Sequence, residues 1–238
     1  MDNATMHRVS RSGLEDFIKC PRCAYLKYAM DCWPPKSPPY TLNLAVDQLL
    51  KLEFDSCRQE GRHHPWTREL GLRPYNHPRL DEWRDEKRGL VRDCVESGVQ
   101  LFGALDDLWC DDEGGIHVVD YKATKSRSAP AMNAPWHDSY RRQADMYQWM
   151  LRGLGVDVSP TAYFLFCVVD ESRGFAGSLN FTHQVVPYEG SDGWIPGKLK
   201  EFRAAMEAPT MPSTTLADCD ACRSRAALRE AFIERGWR

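Results

Sequence analysis

The chain has 238 residues, 42% hydrophobic, 11% aromatic and 27% charged, the balance of a folded globular protein, which excludes disorder, collagen and coiled coil. Its 31 Lys and Arg against 34 Asp and Glu give a formal net charge of -3, so no global basic field marks it for nucleic acid and any such contact must be local. Apolar runs such as 161–169 are too short to cross a bilayer, and Met1-Asp2-Asn3 opens neither a signal nor a transit peptide, so a cytoplasmic protein without membrane contact is expected.

Ser12-Gly13-Leu14-Glu15 has the form of a capping box, and Leu14, Phe17, Ile18, Tyr25 and Leu26 follow at helical spacing. This predicts a first helix over 12–30, broken at Pro21. The run Pro34-Pro35-Lys36-Ser37-Pro38-Pro39 makes a stiff loop. A second helix over 42–58 offers Ala45, Val46, Leu49, Leu50 and Phe54 as its apolar side. Residues 59–79 read as an irregular excursion in which His63, His64 and His77 are surface loop residues; a short helix over 80–88 follows. From Gly98 the period changes to two, which predicts one strand to Trp109, a turn over 111–115 and a second strand over 116–122, together a β-hairpin. A third helix from Pro135 to Leu151, strands over 161–169 and 178–187, a helix over 193–207 and a last helix from Cys222 complete the chain. The order predicts a mixed α/β fold, a central mixed β-sheet flanked by helices, in a single domain.

Side chains alternate along a strand, so in Val118-Val119-Asp120-Tyr121-Lys122 the Asp120 and Lys122 groups share one face and Tyr121 takes the other. A divalent cation is a natural third party to such an acid and base. The preceding strand supplies a further acid in Gly103-Ala104-Leu105-Asp106-Asp107, which a hairpin brings near Asp120. On the next helix Gln143 and Tyr147 are four apart and share a face, where both can hydrogen-bond a metal-bound water or a phosphate.

Of nine cysteines, Cys20/Cys23 and Cys219/Cys222 form two Cys-x-x-Cys pairs near opposite ends of the sequence. Four thiolates are the ligand set for tetrahedral zinc or for an iron–sulfur cluster, here as a structural clip between the ends. Cys32, Cys57, Cys94, Cys110 and Cys167 are single and read as small buried hydrophobes.

Gly-x-x-Asp, then Asp-x-Lys, then Gln-x-x-x-Tyr, in that order within residues 103–147, resembles the PD-(D/E)XK nuclease superfamily, and within it the RecB-like exonucleases that include the CRISPR-associated four-cysteine exonucleases. The start Ser12-Gly13-Leu14-Glu15-Asp16-Phe17-Ile18-Lys19-Cys20-Pro21 and the end Cys219-Asp220-Ala221-Cys222 are similar to theirs as well. The resemblance implies a restriction-endonuclease-like core, here about 42–188, with a metal-cluster region formed by 10–32 and 215–238. It implies that Asp106 and Asp120 are metal-ligating carboxylates, the Tyr121 carbonyl a further ligand, Lys122 the catalytic lysine, and Gln143 and Tyr147 the helix motif. Where that branch carries a His in the helix before the hairpin, this chain has Asp47. Gly-x-x-Asp spacing favours Asp106 over Asp107, which is expected to face away. The activity implied is hydrolysis of DNA phosphodiester bonds with Mg²⁺ or Mn²⁺, by an exonuclease acting on DNA ends or single strands, with repair or CRISPR-type proteins as partners. The cofactor implied at the cysteines is a 4Fe-4S cluster, with zinc as the alternative, since the cysteines divide two and two rather than one and three.

Local basic residues offered for phosphates are Lys19, Arg22, Lys27, Lys125, Arg127, Arg141 and Arg142, with Trp33, Trp66 and Trp136 to stack on bases. A second reading is a nuclease-fold module that binds nucleic acid or a partner without cutting. A third is a zinc-stabilised interaction protein whose carboxylates are surface charges.

Overall fold

The structure is a computed structural model that describes residues 6–35, 38–125, 132, 134, 137–213 and 219–237. In chain order the elements are β1 (His7–Ser10), α1 (Arg11–Lys19), α2 (Pro21–Tyr28), α3 (Thr41–Gln59), β2 (Arg73–Pro74), α4 (Leu80–Arg84), β3 (Leu90–Cys94) and β4 (Val99–Gly103). There follow β5 (Asp107–Cys110), β6 (Ile116–Thr124), α5 (Asp138–Gly153), β7 (Thr161–Val169), β8 (Phe181–Glu189), α6 (Ile195–Met206) and α7 (Asp220–Glu234). The fold is mixed α/β, in two compact units: one of Met1–Ser37, Asp93–Leu101 and Pro196–Arg238, the other of Pro38–Arg92 and Phe102–Ile195.

In the larger unit the sheet order is β2-β5-β6-β7-β8. β5 and β6 are antiparallel, with Asp107 opposite Val119; β6 and β7 are parallel, with Asp120 opposite Phe164; β7 and β8 are antiparallel. The parallel pair needs a crossover, which α5 provides. One face of the sheet packs Trp109, Val119, Tyr121, Leu165 and Cys167 with Leu50 and Phe54 of α3. The opposite face carries Asp120 and Lys122 toward α5.

On α3 the core-facing stripe is the half-buried Val46 and the buried Leu50, Phe54 and Cys57, at spacings of four, four and three. Ala45 and Leu49, expected on the apolar side, are exposed, because they lie outside that stripe. The expected strand over 98–109 is two strands: the backbone breaks over 104–106, where the Leu105 N–H donates to the carbonyl of Trp83 at 3.1 Å. Only the second piece, β5, makes the hairpin with β6, whereas β4 joins the three-stranded sheet β1-β4-β3. The excursion holds a core residue as well as loop. His64 is buried, stacked on Phe54 at 4.2 Å between centroids, with Glu53 beside its Nε2 at 3.4 Å. His77 stacks on Trp83.

In the smaller unit Ser10, not Ser12, caps α1, its hydroxyl accepting from the Gly13 N–H at 2.9 Å. The expected break at Pro21 occurs, with Cys20 as the joint: it ends α1 and caps α2, where Pro21 takes the first position. Phe17 and Tyr28 each pack edge to face on Phe202, and Leu14, Val99, Leu101 and Leu199 of this unit are buried. Of the single cysteines, Cys57, Cys94, Cys110 and Cys167 are buried as expected; Cys32 is exposed, just beyond the end of α2. Among the described residues no helix is long and apolar enough to cross a membrane.

Candidate functional site

β6 brings Asp120, 1% exposed, and Lys122 to the face beneath α5. Lys122 Nζ ion-pairs with Asp120 and lies 4.7 Å from the ring centroid of Tyr140. Burial opposes its charge, but the carboxylates of Asp120 and Asp106 outweigh that and hold the ammonium above the ordinary lysine range. Gln143 Nε2 donates to Asp120 Oδ1 at 2.6 Å, which fixes the carboxylate from above. Tyr147, one turn further along α5, donates its hydroxyl to the carbonyl of Ala104 in the break before β5. It therefore positions the segment that carries Asp106. The Tyr121 N–H donates to Asp106 Oδ2 at 2.9 Å, which ties Asp106 to the same stretch of β6.

Asp47 enters from α3. Its Oδ2 is 2.8 Å from Lys51 Nζ, which is in turn 3.5 Å from Asp106 Oδ1. Burial and the Asp106 charge both push the Asp47 carboxyl up, against the pull of Lys51. Lys51 itself is held above its ordinary value, the carboxylates of Asp106 and Asp47 outweighing burial. Sequence reasoning passed over Lys51; its only signal is that it stands four residues after Asp47 on one helix face.

Asp107 goes the other way. Fully buried, it ion-pairs with Arg58 and with Arg84 Nη2 at 2.6 Å, and it accepts from the Tyr121 hydroxyl at 2.6 Å and the Leu108 N–H at 2.7 Å. Arg84 also donates to the Asp106 carbonyl at 2.9 Å and pairs with Asp55. The two consecutive aspartates thus part where the break meets β5: Asp107 anchors a buried arginine cluster, and Asp106 faces Asp47, Lys51 and Lys122.

The second centre lies in the smaller unit, where the α1–α2 joint meets the first turn of α7. The sulfur atoms of Cys20, Cys23, Cys219 and Cys222 all lie within 4.8 Å of one another. Cys20 to Cys222 is 3.7 Å, and Cys23 lies 3.5 Å from both Cys219 and Cys222. Burial and the neighbouring sulfurs push the Cys23 thiol up, against a hydrogen bond from Arg225 Nη1 at 3.3 Å; a bound cation reverses that balance by favouring the thiolates. Among the described residues these four are the metal-ligating side chains drawn to a common point, whereas at the aspartates lysine ammonium groups take that place.

Of the basic and aromatic residues offered for nucleic acid, Lys19 pairs with Glu15, Lys27 with Asp16, and Arg141 and Arg142 with Asp138. Arg22 lies against Met211 and Lys125 is exposed. Trp33 is 55% exposed beside Lys27, while Trp66 stacks on His183 and packs against the core. Arg127, Trp136 and the expected helix start at Pro135 lie outside the described residues.

Asp106, Asp120 and Lys122 thus gather beside the paired strands β5 and β6 of a mixed sheet with helices on its faces. The family model of the PD-(D/E)XK nuclease superfamily matches residues 41–227, and the chain belongs to that superfamily. The matched span holds every aspartate, lysine and α5 residue of the site, and Cys219 and Cys222, but not Cys20 and Cys23. No curated protein matches the sequence. Nine chains of solved structures match, among them one titled "Crystal structure of SSO0001", at 11% identity over 90% of each chain and a TM-score of 0.41.

Proposed function

We propose that the chain is a Mg²⁺- or Mn²⁺-dependent deoxyribonuclease of the RecB-like type, an exonuclease acting on DNA ends or single strands alongside repair or CRISPR-type proteins. One observation carries the reading: Asp120 receives both Lys122 and Gln143, while Asp106 is tied to the adjacent Tyr121 N–H. The donor set is all oxygen, from Asp47, Asp106, Asp120 and the Tyr121 carbonyl, which suits hard divalent cations. Bound there, such an ion supplies an activated water and neutralises charge on the scissile phosphate.

The chain's own residues do the rest. Lys122, kept charged by its two carboxylates, sits where it orients the attacking water or offsets charge developing on the phosphate. Gln143 holds Asp120 in one rotamer, and Tyr147 sets the Ala104 carbonyl and with it the approach of Asp106. Arg84 holds the same segment two residues further on, through the Asp106 carbonyl.

The test is cleavage of end-labelled single- and double-stranded DNA with Mn²⁺ or Mg²⁺ by the wild type and by Lys122→Ala. Degradation by the wild type, reduced at least about 100-fold in the variant, is expected. Equal rates in the two proteins overturn the assignment. A non-cleaving binding module is favoured by a different observation, the Lys51 ammonium lodged between Asp47 and Asp106. Tight metal-independent binding of DNA without turnover by the folded protein establishes that module instead.

A further inference from the structure

The resemblance implies an iron–sulfur cluster at the four cysteines, and the spacing of their sulfur atoms tests this. Zn–S bonds of about 2.3 Å at tetrahedral angles place the ligand sulfurs about 3.8 Å apart. A four-iron cubane gives each cysteine its own iron and spreads the sulfurs to about 6 Å. The sulfurs here lie within 4.8 Å of one another, with three of the separations at 3.5 to 3.7 Å. The site is too tight for the cubane.

A two-iron cluster does not fit either. It divides four sulfurs into two pairs, close within a pair and more than about 5 Å apart across pairs. The short separations run as a chain, Cys20 to Cys222, Cys222 to Cys23, Cys23 to Cys219. However the four are paired, at least one short separation falls across the pairs. All four sulfurs surround one point.

We infer that Cys20, Cys23, Cys219 and Cys222 hold a single tetrahedral zinc ion. The local hydrogen bonding suits it. The Cys23 N–H donates to Cys20 Sγ at 3.4 Å, as the backbone of a Cys-x-x-Cys turn does when its first thiolate is a ligand. Four thiolates around a dication leave two negative charges, and the Arg225 guanidinium, 3.3 Å from Cys23 Sγ, offsets part of them. Cys20 and Cys222 are buried and the other two half-buried, which leaves no open ligand position to a substrate and makes the centre structural.

The inference rests on the reading of the four cysteines as a metal centre and is independent of nuclease activity. The full chain is produced in medium supplied with both iron and zinc, purified without oxygen, and assayed for metals and acid-labile sulfide. One zinc per chain is expected, with no sulfide and no visible absorption. Zinc-edge X-ray absorption is expected to show four sulfur neighbours at about 2.3 Å. Stoichiometric iron and sulfide with a brown absorption that bleaches on reduction overturns zinc and leaves the four-cysteine centre standing. A folded chain that retains neither metal, or zinc with nitrogen or oxygen neighbours, overturns the centre itself. None of these readouts depends on cleavage.

Discussion

Lys51 Nζ stands 2.8 Å from Asp47 and 3.5 Å from Asp106, on the oxygens a divalent ion needs at the proposed catalytic centre. Ammonium and metal therefore compete for the same negative charge. Lys51→Met keeps the aliphatic stem and removes the competitor, so Mn²⁺ is expected to bind about fivefold more tightly in calorimetry, on the order of 1 kcal/mol. Unchanged or weaker affinity shows that lysine and metal do not share those carboxylates. His64 makes a second residue-scale prediction. Burial holds its imidazole below the ordinary value of 6.5, with Arg62 and His183 acting the same way and Glu53 opposing. Between the lowered value and 6.5 the unfolded chain binds more protons than the folded one, so this residue's contribution to stability grows with pH across that window and is lost as pH falls through it. His64→Phe retains the stack on Phe54, and its melting temperature between about pH 5 and 7 is expected to vary less steeply than that of the wild type. Parallel profiles exclude His64 as the titrating group.

Among the elements, the break between β4 and β5 decides whether the two aspartates diverge, and a glycine contact adjoins it. Gly89 has φ +60°, and a Cβ there meets the carbonyl oxygen of Gly103 at 2.7 Å. Gly89→Ala is expected to lose about 2 to 3 kcal/mol in urea unfolding, from the left-handed backbone and the clash together. An unchanged midpoint means that the backbone there yields freely. The break itself was not legible in the sequence. Residues 98–109 alternate well enough for one strand, and what stops it is tertiary: Leu105 bonds to the carbonyl of Trp83, and the Ala104 carbonyl takes the Tyr147 hydroxyl. By contrast α3, α5, β6 and β7 were legible, because a buried stripe or a buried parallel pair imposes its period on many residues at once. At the site, strand alternation foretold that Asp120 and Lys122 share a face. Lys51 reads in sequence as an ordinary helix ion pair, and only its distance to Asp106 distinguishes it. Nor does any local pattern show that Arg58 and Arg84 enclose Asp107, since their partners lie 49 and 23 residues away.

For the whole molecule the cysteine centre is a covalent-like clip, and its energetics follow from chain length. Cys20 and Cys23 are separated from Cys219 and Cys222 by residues 24–218 and meet them at the shared site. An ion that stayed on the unfolded chain would restrain a loop of this size at an entropy cost of roughly 5 kcal/mol, as a disulfide does, whereas one released on unfolding gives no such contribution. An ion that binds folded thiolates and not the unfolded chain adds its own binding free energy. Stripping the metal with a strong chelator under reducing conditions is therefore expected to lower the melting temperature by about 10 °C or more, with recovery when zinc is returned. Acid acts in the same direction, because protonating the thiols releases the ion. The conserving double substitution Cys20→Ser with Cys222→Ser is expected to melt like the stripped wild type and to show no recovery with zinc. If instead the stripped and loaded chains melt together, the clip contributes nothing and the ends are held by the packing of Phe17, Tyr28 and Phe202.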